Sequence, residues 1–208
     1  RTAAQAWLDA MEIHERCPAS TGLKDPTIIF PVFSGLVVFL KGGKVLQDKD
    51  CSFEQNLASK FVADAEDLGD PVHITRALAM LCEVQARAGQ YSNALETFGE
   101  IVTLYDPEKH SEGICKAYGT DRSAHAFAQS ALWHYQLGDI ESALKACEYV
   151  LEKLLPCMDP SNILNTSELL HPILRILKPR GEEKRLRDLF QEHVVDNFEK
   201  FEIKFTPG

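Results

Sequence analysis

Apolar positions recur along this chain at helical spacing. Leu78, Leu81 and Val84 form one such run, Leu95, Phe98, Ile101 and Val102 a second, and Leu144, Cys147, Val150 and Leu151 a third. Alternating runs of β-branched residues bounded by turns are nearly absent, so strands contribute little. Several helix starts are marked by an aspartate followed by a proline or an unbroken helical run: Asp70-Pro71, Asp106-Pro107-Glu108, Asp121-Arg122 and Asp159-Pro160. An aspartate accepts from the free N–H groups of a first helical turn, and proline fits that turn because its missing N–H has no partner there anyway. The pattern predicts helices over 2–17, 27–41, 52–68, 71–88, 91–105, 121–137, 139–155, 160–178 and 182–201, with 106–120 as a long linker. The end of the chain, Phe198-Glu199-Lys200-Phe201-Glu202-Ile203-Lys204-Phe205, alternates apolar and charged residues and reads as a short strand or an association segment.

Two of these helix pairs are copies of one another. Residues 76–95 align with 125–144, placing Gly89 on Gly138, Tyr91 on Ile140 and Ala94-Leu95 on Ala143-Leu144. A glycine closes the first helix because the tight turn needs a residue without Cβ, and an alanine five positions later lets the second helix approach closely. Gly181 begins a weaker copy, with Leu186 where the small residue belongs and Phe190 at the large packing position. Gly43 ends another, followed by an apparent insertion over 44–53. The pattern glycine, then an aromatic or aliphatic residue, then Ala-Leu resembles the centre of the tetratricopeptide repeat. The resemblance implies an all-α solenoid of antiparallel hairpins over 1–208, with hairpins at 27–68, 71–105, 121–155 and 160–201 and a leading helix at 2–17. Successive glycines are 46, 49 and 43 residues apart, longer than the roughly 34 of a standard repeat, so the connections between hairpins must be long.

A narrower resemblance rests on Gly69-Asp70-Pro71, Tyr105-Asp106-Pro107 with His110, Tyr118-Gly119 with Asp121, Ala131-Leu132-Trp133 and Leu137-Gly138-Asp139. Phe30-Pro31 with Gly35 upstream and Arg180-Gly181-Glu182 downstream extend it over most of 27–200. Together they are similar to the helical-repeat region of large signalling proteins that join a nucleotide cyclase or transcription-regulator domain to an AAA-type ATPase. What this resemblance implies is a sensing or protein-interaction module, itself without enzymatic activity or cofactor, whose cytoplasmic parent carries the catalytic unit. The inserted 44–53 and Leu186 depart from the pattern in the first and last hairpins.

Composition narrows the partners. The chain has 208 residues, 45% hydrophobic and 25% charged, enough for a substantial core and unlike a disordered segment. Asp and Glu total 31 against 22 Lys and Arg, giving a net charge of −9, which disfavours nucleic acid and anionic lipid and favours a protein or peptide, or another domain of the same parent. The longest apolar run, 27–40, is interrupted by Pro31, Ser34 and Gly35 and falls short of the roughly 20 residues that span a bilayer. With Arg1 opening directly into helical text, the sequence reads as a piece of a longer chain. None of the six cysteines forms a Cys-x-x-Cys pair; reduced, mostly buried thiols of a cytoplasmic protein are the expectation. Their spacings of 34, 31, 33 and 32 mimic a repeat, but Cys82 falls in a first helix and Cys147 in a second, so the interval carries no chemistry.

The repeat geometry supports one functional surface. In stacked hairpins the first helices line the concave side. Counting back from the turn glycines places Arg76, Met80, Glu83 and Arg87 there in one hairpin, His125, Gln129, Leu132 and Gln136 in the next, and Arg175 with Glu168 beyond. Such a groove, mixed in charge and carrying arginines and a methionine, suits an extended peptide or a helix. Chemistry is weakly signalled by comparison. Among seven histidines, His125 and His134 lie on opposite sides of one helix and cannot share a metal. His110 and Asp121 flank the linker and are expected to cap it. A phosphate-binding loop is absent, since Gly42-Gly43-Lys44 lacks both the earlier glycine and the following Ser or Thr. Two other readings stay open: a helical-repeat hydrolase or metal enzyme, requiring His110, His125, His134 and Asp121 to converge, and a homodimerisation module working through its end helices.

Overall fold

The computed structural model describes residues 51–158 and 163–192, with the isolated positions 9, 12, 16 and 196. The expectations for 2–17, 27–41, Gly43 and the 198–205 tail lie outside the continuous described stretches. Within them the chain is all-helical: α1 (Ser52–Leu68), α2 (Pro71–Arg87), α3 (Tyr91–Leu104), α4 (Pro107–Tyr118), α5 (Arg122–Gln136), α6 (Ile140–Tyr149), α7 (Ile163–Leu177) and α8 (Glu183–Phe190). No helix among the described residues is long and apolar enough to cross a membrane.

Four aspartates at helix starts work as caps, while Asp159 lies outside the described residues. Asp70 accepts from the Val72 N–H at 2.9 Å, Asp106 from Glu108 at 3.1 Å, Asp121 from Ala124 at 3.0 Å and Asp139 from Ser142 at 3.0 Å. Each satisfies one of the donors a helix start leaves free. The glycine turns share one geometry. Gly89, Gly138 and Gly181 sit at φ of 77, 81 and 79°, and the next residue donates five positions back, Gln90 to Gln85, Asp139 to His134 and Glu182 to Leu177. An L side chain at that φ is strained, so the repeating glycine records a repeating backbone.

Two expectations need correction. The stretch 106–120, expected as a linker, contains the helix α4. The Asp106-Pro107-Glu108 start signal was present, but the helix that follows is polar, with Ser111 and Ile114 its buried residues, so it lacks the apolar stripe that marks the others. The helix expected over 139–155 is regular only to Tyr149; Val150–Leu154 forms a π turn and Leu155–Cys157 a tight 3-10 turn ahead of Met158. Proline at 156 cannot donate to a continuing helix, which stops the element there.

Hairpin α2/α3 and hairpin α5/α6 are each closely packed, and the first helices α2, α5 and α7 lie side by side. The helix α3 packs against α5 as well as α2, and α6 touches α7 as well as α5. Ala94 and Ala143, the small residues of the two copies, are fully buried, as close helix approach requires. A continuous core runs from Leu78 and Cys82 through Phe127 and Trp133 to Leu169 and Ile176. At its centre Phe98 meets Phe127 edge-on at 4.8 Å and Trp133 at 6.2 Å, and Phe127 stacks on Tyr149 at 5.3 Å. Edge-on and offset ring pairs of this kind add to the burial gain. A second cluster joins Leu57, Ala58, Phe61 and Ala65 of α1 to Ala77, Met80 and Val84 of α2.

Candidate binding groove

Side by side, α2, α5 and α7 present helical stripes to one surface. Glu83 and Arg87 lie one turn apart on α2; His125, Gln129, Leu132 and Gln136 follow each other on α5; Glu168, His171 and Arg175 do so on α7. A depression of about 280 Å³ is lined by Glu83, Arg87, Gln129, Leu132, Gln136 and Arg175, with Trp133 and Tyr91 contributing apolar floor. An adjoining one of about 550 Å³ is lined by His125, Gln129, Arg122, Glu168 and His171. Gln129 borders both, so the two depressions adjoin along α5, and the first of them touches all three of α2, α5 and α7.

Eight of the ten residues expected on this surface border the two depressions. Arg76 and Met80 do not: each is only 2% exposed. Met80 is covered by α1, where it packs among Leu57, Phe61 and Ala65. Arg76 is covered by α4, with its guanidinium 5.1 Å from the centre of the Tyr118 ring. Burial, together with the like charge of Arg122, pushes the Arg76 guanidinium down to about 10, while Tyr118, Glu83 and Asp121 work in the opposite direction. It stays charged at neutral pH and acts in the interior, held by an aromatic face and nearby acids.

The groove's charges are mostly committed within the fold. Arg87 pairs with Glu54 of α1, and Arg122 with Glu168 at 3.2 Å, tying α5 to α7. His125 meets the Gln129 amide at 3.0 Å. Arg175 makes no ion pair among the described residues, and both it and Gln136 are exposed. Among the described residues, what the surface offers a ligand is thus the Arg175 guanidinium, amide groups from two glutamines and an apolar floor. Arg122 and His171 were missed from sequence. Their signal was the one-turn spacing from His125 on α5 and from Glu168 and Arg175 on α7, which continues the two stripes.

Comparison with protein-family models, with curated proteins and with solved structures found no match.

The residues considered for metal or acid–base chemistry each turn to a separate partner. His110 Nδ1 accepts the Asp106 N–H at 3.0 Å, His134 faces Asp139 at 3.5 Å, and Asp121 accepts the Tyr105 hydroxyl at 2.7 Å while capping α5. Among the described residues no three His, Cys, Asp or Glu side chains converge in a way that would hold a metal ion.

Proposed function

We propose that this chain is a tetratricopeptide-like regulatory module that captures an extended peptide, or a segment of a neighbouring domain of its parent chain, in the α2–α5–α7 groove. The parent, on this reading, is a signalling protein of the cyclase or ATPase type, and occupancy of the groove biases the relative arrangement of the hairpins. The observation that carries the proposal is the pair of adjoining depressions that meet at Gln129 and together border α2, α5 and α7. Such a surface fits a ligand longer than one pocket, and its amides match the donors and acceptors of an extended backbone. The repeat assignment is supported by the three identical glycine turns and by the side-by-side first helices.

The test is selection of peptides from a display library against the purified chain, followed by fluorescence anisotropy with the triple variant Q129A/Q136A/R175A. Loss of a surface hot spot typically weakens binding by about tenfold or more, and that loss is expected here with the melting temperature unchanged. Selected peptides that bind the variant as tightly as the parent chain would overturn the groove assignment.

A further inference from the structure

A further cavity, of about 670 Å³, lies away from the groove, between α4 and the 3-10 turn that follows α6. One face of α4 supplies Glu108, Ser111, Glu112 and Cys115, and the end of the 3-10 turn supplies Cys157 and Met158. Two cysteines distant in sequence therefore border one cavity. We propose that Cys115 and Cys157 are a reactive thiol pair, modified by a low-molecular-weight disulfide such as oxidised glutathione and closing to an intramolecular disulfide that ties α4 to the base of the following hairpin.

Accessibility separates this pair from Cys82 and Cys147, and position separates it from Cys51. Cys157 is exposed and Cys115 half-buried, whereas Cys82 and Cys147 are fully buried. Burial pushes both interior thiols up, that of Cys147 to about 11, which keeps them protonated and inert. Cys51 precedes α1 and does not line this cavity. The Cys157 thiol donates to the Lys153 carbonyl at 3.1 Å, a weak bond within its own turn that costs little to break.

The order of steps follows from exposure. The Cys157 thiolate attacks one sulfur of oxidised glutathione, its S–S bond breaks and one glutathione thiolate leaves. Cys115, once deprotonated, attacks the Cys157 sulfur of the mixed disulfide and expels the second glutathione thiolate. The two protein thiols are oxidised, the glutathione disulfide is reduced to two thiols, and the two protons lost by the protein pass to them.

The experiment treats the whole chain with oxidised glutathione, traps it with an alkylating agent, and maps the products by peptide mass spectrometry. The expected product is a peptide pair linked through Cys115 and Cys157. In the C157S variant the loss of the Cys115 thiol is expected to slow by about tenfold or more, since the entry thiol is gone, and in C115S a mixed disulfide is expected to persist on Cys157. A native chain that stops at separate adducts, leaves both thiols free, or links either cysteine elsewhere overturns the proposal. The native map decides alone, whatever the variants' stability, and does not depend on the groove or its ligand.

Discussion

Asp121 holds two elements at once. One carboxylate oxygen caps α5 at Ala124 and the other accepts the Tyr105 hydroxyl, in a site where the residue is 3% exposed. Replacing it by alanine removes a cap and strands a buried phenol, so D121A is expected to cost about 2–3 kcal/mol in urea unfolding. Y105F, which removes one bond and keeps the ring, is expected to cost about 1 kcal/mol, and a double-mutant cycle should find the two strongly non-additive. His73 supplies a pH signal. Its Nδ1 meets the Tyr118 hydroxyl at 2.5 Å, and burial lowers its pKa from the ordinary 6.5 despite the opposing charge of Asp70. Below that ordinary value the unfolded chain binds a proton that the folded chain resists, so the group's contribution is fully present above it and is lost as pH falls. Thermal melts from about pH 7 down to about pH 5 should therefore show a shallower loss of stability for H73Q than for the native chain.

At the scale of elements, the glycines divide by backbone and not by burial. Gly99 lies inside α3 with open space where a Cβ would point, whereas Gly138 sits at φ +81° in the turn between α5 and α6. G99A is expected to raise stability by about 0.5–1 kcal/mol through helix propensity, and G138A to lower it by about 1 kcal/mol through left-handed strain; chemical denaturation of the two variants checks the opposite signs. The turn glycines and aspartate caps were readable in the sequence because each is a local requirement. Helix α4 was not, since periodicity detects an apolar stripe and α4 buries only Ser111 and Ile114. That omission also produced the Arg76 error: the ring that covers Arg76 belongs to Tyr118 at the end of α4. Met80 failed for a related reason, because a helical stripe gives the direction of a side chain and says nothing of the neighbour that covers it.

Over the whole molecule, the net charge of −9 coexists with a groove whose ion pairs are largely internal, leaving Arg175 as its available cation among the described residues. The stripes on α2, α5 and α7 were legible wherever no other helix lay over them, which is why the expected residues from Glu83 to Arg175 border the depressions while Arg76 and Met80 do not. Arg122, by pairing with Glu168, fixes α5 against α7, and the groove's shape should depend on it more than its charge does. The most direct test of the groove as the functional surface is anisotropy with a library-selected peptide, comparing the native chain with Q129A/Q136A/R175A after matching their melting temperatures. The account predicts affinity weakened by about tenfold or more in the variant; equal affinity for the two proteins would contradict it.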